Sequence, residues 1–343
     1  MLILDAVHVN EGGSLILLKY LMSYMKEKKI ECFFLLDNRV KGVLNELIDE
    51  TQCKYIPSGI VSRYKFYATK KGITSIFCFN SAPPPIFNTN IPINVYFHNP
   101  YLIKPNKNIS LLRKFSYFLK TKYIDFFGNN VELWMVQNQR MKINFEKKYL
   151  ENKIKKGEVM VLPFYPSIEV NGDVNEFKRV KNSFIYVSTY YPHKNHWNLI
   201  EAFCKAYDET KIGSLTLTLP NKNLEILDLI CKKVEKGYPI NNLGFINRED
   251  LAKKYLLHEY LIFPSTDETF GLGLVEAIHM GCKVIASDLD YVNEVCNPSL
   301  VFDPYDVNSI KQTIVDAMSI DRVVNSTSKV SNDIDKLINI ITS

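Results

Sequence analysis

Glu259-Tyr-Leu-Ile-Phe-Pro264-Ser265-Thr-Asp-Glu268-Thr-Phe270-Gly271-Leu272-Gly273-Leu-Val-Glu276-Ala-Ile-His-Met280-Gly281 spells a strand, a turn and a helix in order. The run ending at Phe263 is short, apolar and stopped by proline, as a buried strand is. Leu272 to Met280 reads as an apolar helix halted by Gly281. Peptide N–H groups at a helix start are unpaired within the helix and carry the positive end of its dipole, so the turn can hold an anion. Gly271 and Gly273 are expected to let ligand and backbone come close. Glu268 and Glu276, eight positions apart, flank that turn, one on the loop and one inside the helix. Carboxylates accept hydrogen bonds from sugar hydroxyls, so the layout suits a sugar that carries a phosphate: one glutamate for the sugar, the other for a nucleotide ribose.

Working outward, apolar runs alternate with helical segments along the chain. Leu2 to Val9, Ser14 to Lys28, Ile30 to Leu36 and Val40 to Glu50 read as βαβα, which implies a parallel sheet with helices on both faces. Further strands are predicted at Ile73 to Phe79, Ile93 to Phe97, Leu133 to Val136 and Val159 to Leu162. A second series runs through Phe184 to Val187, Ser214 to Leu219, Tyr260 to Phe263, Lys283 to Ala286 and Ser299 to Phe302. Pro163-Phe-Tyr-Pro166 and the polar stretch Glu169 to Lys181 lie between the two series, which places one domain at 1–167 and another at 168–343. The last helix, about 329–341, is a candidate to pack back on the first domain.

Composition limits what such a chain does. Its 343 residues suit two domains, and 46% hydrophobic with 23% charged residues is ordinary for globular protein. A formal charge of +5 is far below that of a dedicated nucleic-acid binder, although a local basic face could still meet an anionic membrane. The seven cysteines are scattered without a C-x-x-C pair, so reduced thiols in cytosol are expected. The N-terminus has no basic start, and no apolar run reaches about 18 residues, from which a cytoplasmic, non-spanning protein is expected.

Phe-Pro-Ser, both glutamates, Phe-Gly-Leu and Glu-Ala-x-x-x-Gly-x-x-Val-Ile-Ala-Ser-Asp occur together here. In this the chain resembles the retaining glycosyltransferases of family 4, strongly in its second half and weakly in its first. The resemblance implies an α/β protein of GT-B fold, two Rossmann-like domains facing each other across a cleft. It also implies a nucleotide-diphosphate sugar as donor substrate, with no further cofactor and no metal. On it, Glu268 takes sugar hydroxyls, Glu276 the ribose, and the amides around Phe270, Gly271 and Leu272 the diphosphate or donor sugar.

Three other places carry candidate chemistry. Asn10-Glu11-Gly12-Gly13-Ser14 follows the first strand and opens a helix; Gly12 and Gly13 read either as a phosphate-facing loop or as a tight turn with Ser14 as N-cap. Phe184 to Phe203 is a strand, a loop bearing Lys194 and a helix, and the ammonium could neutralise a leaving diphosphate. Ser188, six positions before Lys194, stands where the resembled family usually carries an arginine, so a second cation comes from elsewhere or is missing. His98, at the end of the strand Ile93 to Phe97, resembles a histidine that faces donor sugar or acceptor in that family, and is otherwise a hydrogen-bonded strand-end residue. Asp288-Leu-Asp290 mimics a metal-binding D-x-D but is expected to cap a helix. His193 and His196 have metal spacing with no acidic or thiol cluster beside them, so activity is expected to survive a chelator.

Lys104 to Phe127 mixes aromatic and basic residues at helical spacing. It reads as a surface helix docking at a membrane, or as a core-packed helix with a solvated basic face. The resemblance implies transfer of a hexose or N-acetylhexosamine, with retention, to a glycan or lipid-linked acceptor. The implied setting is bacterial O-antigen, lipopolysaccharide or capsule synthesis at the inner face of the membrane, without a nucleic-acid partner. A sugar-nucleotide epimerase or a phosphorylase-like enzyme of the same fold, or an inactive scaffold subunit, are the alternatives.

Overall fold

The computed structural model describes all residues except 88–89, 105–109, 152–156 and 171–175. Parts of the stretches 104–127 and 169–181 read above therefore lie outside the described residues. Two compact units divide the chain: Met1–Pro166 together with Ser331–Ser343, and Ser167–Val330. Among the described residues no helix is long and apolar enough to cross a membrane.

The first unit runs β1 (Leu2–Ala6), α1 (Gly12–Glu27), β2 (Cys32–Asp37), β3 (Cys53–Ile56), α2 (Ile60–Thr69), β4 (Ser75–Cys78), β5 (Ile93–Phe97), α3 (Leu111–Phe127), β6 (Leu133–Val136), α4 (Gln139–Tyr149) and β7 (Glu158–Val161). Its seven strands lie in the order β3-β2-β1-β4-β5-β6-β7, all parallel. A parallel sheet covered on both faces needs strands that are apolar at successive positions. In β1, Leu2, Leu4 and Ala6 enter one core with Leu18, Leu21 and Met25 of α1, while Ile3 enters another with Phe66 and Tyr67 of α2.

Asp5 is the polar exception in β1. Its buried carboxylate accepts from Arg63 at 2.7 and 2.9 Å, Tyr67 at 2.8 Å, Asn80 at 3.1 Å and the Val7 amide at 3.2 Å. Arg63 also donates to the Ala82 carbonyl at 3.2 Å, so this network pins the segment leaving β4.

The predicted helix over Val40 to Glu50 does not form. Short 3₁₀ turns at Asn38–Val40 and Glu50–Gln52 take its place, with the Asp37 and Asp49 side chains accepting from Arg39 and Thr51 amides. Gly42 sits between them at φ +88°, outside helical space, which overrides the helical spacing of Val40, Leu44 and Leu47. The crossover helix is instead α2, after a β3 whose short, partly charged sequence Cys-Lys-Tyr-Ile hid it.

The second unit runs β8 (Val180–Tyr186), α5 (His196–Thr210), β9 (Ser214–Leu217), α6 (Leu224–Glu235), β10 (Ile240–Asn242), α7 (Arg248–Leu257), β11 (His258–Phe263), α8 (Leu272–His279), β12 (Lys283–Ser287), α9 (Asp290–Val295), β13 (Cys296–Asn297), β14 (Leu300–Phe302), α10 (Val307–Ser319) and β15 (Thr327–Ser328). Its main sheet is parallel in the order β10-β9-β8-β11-β12-β14, and β13 pairs antiparallel with β15. The order reverses between β8 and β11, where open α/β sheets receive ligands beyond the strand ends.

After Val330 the chain returns to the first unit. In α11 (Ile334–Thr342), Ile334, Leu337, Ile338 and Ile341 join the core shared by α1 and β1. The Asp333 amide donates to the Pro163 carbonyl at 2.8 Å, and Asn332 donates to the Tyr20 hydroxyl at 2.9 Å.

Candidate active site

Two loops leave the switch point of the second sheet, one after β8 and one after β11. The first carries Lys194 at the end of a 3₁₀ turn, Pro192–Lys194, followed by Asn195 in the left-handed region at φ +59°. The Asn195 side-chain Nδ2 donates to the carbonyls of Pro264 at 3.2 Å and Pro304 at 2.7 Å. Tyr186 donates to the Lys194 carbonyl at 2.9 Å and lies 3.0 Å from Ser265 Oγ, and the Thr266 amide donates to the His193 carbonyl at 2.8 Å. The lysine backbone is thus tied to the loop that carries Glu268. Their side chains meet: Lys194 Nζ donates to Glu268 Oε1, with the two 18% and 14% exposed.

Gly271 turns the second loop into α8 at φ +76°, and a Cβ there would come 2.9 Å from Leu274 Cδ1. Gly273 differs from the expectation. A Cβ on it would lie 3.4 Å from Phe263 and 3.5 Å from the Tyr255 hydroxyl, so it faces the protein's own side chains. Phe270 is buried and Leu272 half-buried.

Glu276 is 6% exposed. Arg248 Nη1 approaches its Oε1 to 2.7 Å, a charge contact without hydrogen-bond alignment, and the Tyr255 hydroxyl donates to Oε2 at 3.5 Å. Burial pushes the Glu276 carboxyl above the usual carboxylate range, with Arg248 opposing. Sequence reading did not find Arg248 or Tyr255. Asn247, whose side chain accepts from the Asp250 amide at 2.8 Å, marks the start of α7 as an N-cap. No local signal tells which helix faces Glu276.

The remaining candidates have plainer surroundings. Ser188 donates its amide to Thr218 Oγ1 at 3.2 Å and its hydroxyl to the Thr189 carbonyl at 2.8 Å. Asp288 and Asp290 do not cap α9: Leu289 holds the N-cap position without a side-chain bond, and Asp290 stands in the first turn, where its charge complements the dipole. His196 is buried against Tyr186 with neither ring nitrogen hydrogen-bonded, and burial lowers its pKa to about 3; burial lowers that of His193 too. Among the described residues no three His, Cys, Asp or Glu side chains gather as metal ligands.

In the first unit, Gly12 begins α1 at φ +65°, and a Cβ on Gly12 or Gly13 would meet nothing within 4 Å. Ser14 is not the N-cap expected of it; that position is Glu11, and the Ser14 hydroxyl donates back to the Glu11 carbonyl at 3.0 Å. His98 follows β5 directly. Its amide donates to Ser81 Oγ at 2.9 Å, and Ser81 itself is held at φ +63°. The residue is half-buried, but Nδ1 is buried without a partner, and burial lowers the pKa to about 4, which keeps the imidazole neutral.

Residues 168–333, nearly all of the second unit, match the sequence profile described as Glycosyl transferases group 1. That stretch of the chain is similar to the family. Among curated proteins similar to this chain, O-antigen chain mannosyltransferase B of Escherichia coli is 30% identical over 141 residues, 40% of this chain and 37% of that one. The capsular polysaccharide biosynthesis glycosyltransferase CapH of Staphylococcus aureus is 30% identical over 139 residues, 38% of this chain and 37% of that one. The match thus spans little more than a third of the length of these relatives. In solved structures, the fold matches WaaG, a glycosyltransferase involved in lipopolysaccharide biosynthesis, with a TM-score of 0.68 over all of both chains at 13% identity. HepE of Anabaena, solved with UDP and glucose, matches with a TM-score of 0.63 over 93% of this chain and 90% of that one, at 15% identity. The fold is accordingly that of the GT-B glycosyltransferases.

Proposed function

We propose that the protein is a retaining glycosyltransferase. It moves a hexose or N-acetylhexosamine from a nucleotide-diphosphate sugar to a sugar hydroxyl in O-antigen or capsule synthesis, and mannose is the first sugar to try, given the name of the E. coli relative. The observation that carries this reading is the pairing of Lys194 with Glu268 at the switch point of the second sheet. A diphosphate competes with the glutamate for the ammonium, and a glutamate so released can accept from the hydroxyls of the attached sugar. The amides from Phe270 to Leu272 add the positive end of α8, and Glu276 receives the ribose. Ser188 is assigned to the same donor as a hydroxyl contact.

In this reading Lys194 stabilises charge that grows on the diphosphate as the glycosidic bond breaks. The departing phosphate oxygen takes the proton of the acceptor hydroxyl, which attacks on the same face, so retention needs no separate base and nucleophile pair. In the first unit, Gly12 and Gly13 are assigned to the donor, and the neutral His98 to a hydroxyl of sugar or acceptor. Lys194→Ala should lower kcat by about a hundredfold with a smaller change in KM, read as acceptor-dependent nucleotide release. Unchanged kinetics would remove the role of Lys194, and epimerised donor formed without acceptor would favour the epimerase.

The exposed face of α3 supports a lipid surface as partner. Leu112, Phe115, Phe118, Leu119 and Phe126 are exposed beside Arg113, Lys114, Lys120 and Lys122, and Ile60, Val61 and Tyr64 of α2 are exposed as well. The alternative of a core-packed helix is set aside, since Ile124 is the buried residue of α3 among those described. The protein should float with vesicles containing anionic lipid and lose binding in high salt. Failure to float with either neutral or anionic vesicles would remove the membrane from the scheme.

A further inference from the structure

A carboxylate that receives two ribose hydroxyls has to be ionised, because a protonated acid spends one oxygen as a donor. Glu276 is poorly placed for this on its own: it lies almost wholly buried inside α8, and burial is the largest influence on its carboxyl. The groups facing it come from one element. Arg248, the first residue of α7, has Nη1 2.7 Å from Oε1, and Tyr255, two turns further along, has its hydroxyl 3.5 Å from Oε2. Cys282 lies behind Tyr255, its thiol donating to the Tyr255 carbonyl at 3.0 Å, and burial pushes both groups up, so both stay neutral. Arg248 is therefore the charge that opposes desolvation at Glu276.

We propose that Arg248 is a positioning residue for the donor: it holds Glu276 ionised and aimed, and nucleotide affinity depends on it through that carboxylate. The proposal rests on the reading that Glu276 receives the donor ribose. A guanidinium suits the task because it remains charged at every working pH, so the pair titrates only through its acid. Its place at the start of a capped helix fixes its approach, while its side chain, 34% exposed, leaves the ion pair at the solvent end of a buried carboxylate.

The sign follows from burial. Without Arg248 the desolvation of Glu276 is opposed by the long Tyr255 hydrogen bond alone, its pKa rises further, and the protonated form gains population as the pH falls. Two measurements test this. The first follows the carboxyl carbon of Glu276 by NMR through a pH titration of the ligand-free protein; the second measures UDP and GDP affinity by calorimetry at about pH 6 and about pH 8.5. Wild type, Arg248→Leu, Arg248→Lys and Glu276→Gln are compared in both.

In Arg248→Leu, Glu276 should titrate at higher pH than in wild type, and the affinity for the nucleotide that binds should weaken more than about tenfold between the higher and the lower pH. Arg248→Lys should restore both properties within a few fold, which also guards against a folding defect in the leucine variant. Glu276→Gln should bind weakly at either pH. If Glu276 titrates at the same pH with leucine as with arginine, the proposal is overturned, whatever nucleotide binds. If the titration moves but Glu276→Gln binds UDP or GDP as wild type does, or neither nucleotide binds wild type, the assignment of Glu276 to ribose fails instead, and the link to affinity with it.

Discussion

At the scale of single residues, the motif around α8 was legible because its signals are local. A proline ends the strand, a glycine must turn the chain, and an apolar helix follows. Lys194 and Glu268 were both legible as candidates, but their contact was not, since the two lie 74 residues apart and meet only because β8 and β11 are neighbours. The two glycines of the turn separate by the same logic. Gly271→Ala should lower stability in urea by about 1–2 kcal/mol, because an L-residue at φ +76° is strained. Gly273→Ala should instead be neutral or stabilising by up to about 1 kcal/mol, because helix interiors favour alanine and the added methyl meets ordinary packing. A large loss of nucleotide affinity in Gly273→Ala with unchanged stability would restore the expectation that the ligand approaches there.

Among elements, strands buried on both faces were the easiest to read: Ile93–Phe97 and Leu133–Val136 fall where the apolar runs lie. The failure over Val40 to Glu50 shows the limit of periodicity. Helical spacing of apolar residues says which side chains are buried, and a glycine at positive φ with two aspartate-capped turns buries Val40 and Leu44 without a helix. For α11 the sequence supplied an amphipathic helix, and its companions in the first core are a matter of tertiary packing. Leu337, fully buried there, should cost about 2–5 kcal/mol of first-unit stability when changed to alanine, measured by chemical denaturation. A change near zero would mean that α11 adds little to that core.

For the whole molecule, buried neutral histidines give stability a direction with pH. His98 has its pKa lowered by burial to about 4 and His196 to about 3, against 6.5 in the unfolded chain. Between those values the unfolded state binds the proton and the folded state does not, so stability is complete above about pH 6.5 and falls as the pH drops toward 4. Each group contributes on the order of 3 kcal/mol over that window. His196→Phe should flatten the acid limb of the second unit's unfolding free energy, measured in urea from about pH 7 to about pH 4. An acid limb unchanged from wild type would place the loss elsewhere.

The amino-acid sequence alone determined that this is an α/β chain with parallel sheets and a strand, glycine turn and helix flanked by Glu268 and Glu276. Those properties follow from short-range causes: side-chain periodicity, proline and glycine geometry, and the dipole of one helix. Only the tertiary structure decided that Lys194 pairs with Glu268, that Arg248 faces Glu276, that Asp5 gathers Arg63, Tyr67 and Asn80, and that α11 belongs to the first core. Each of those depends on which strands lie side by side and which groups lose water, and neither is written in any local stretch of residues.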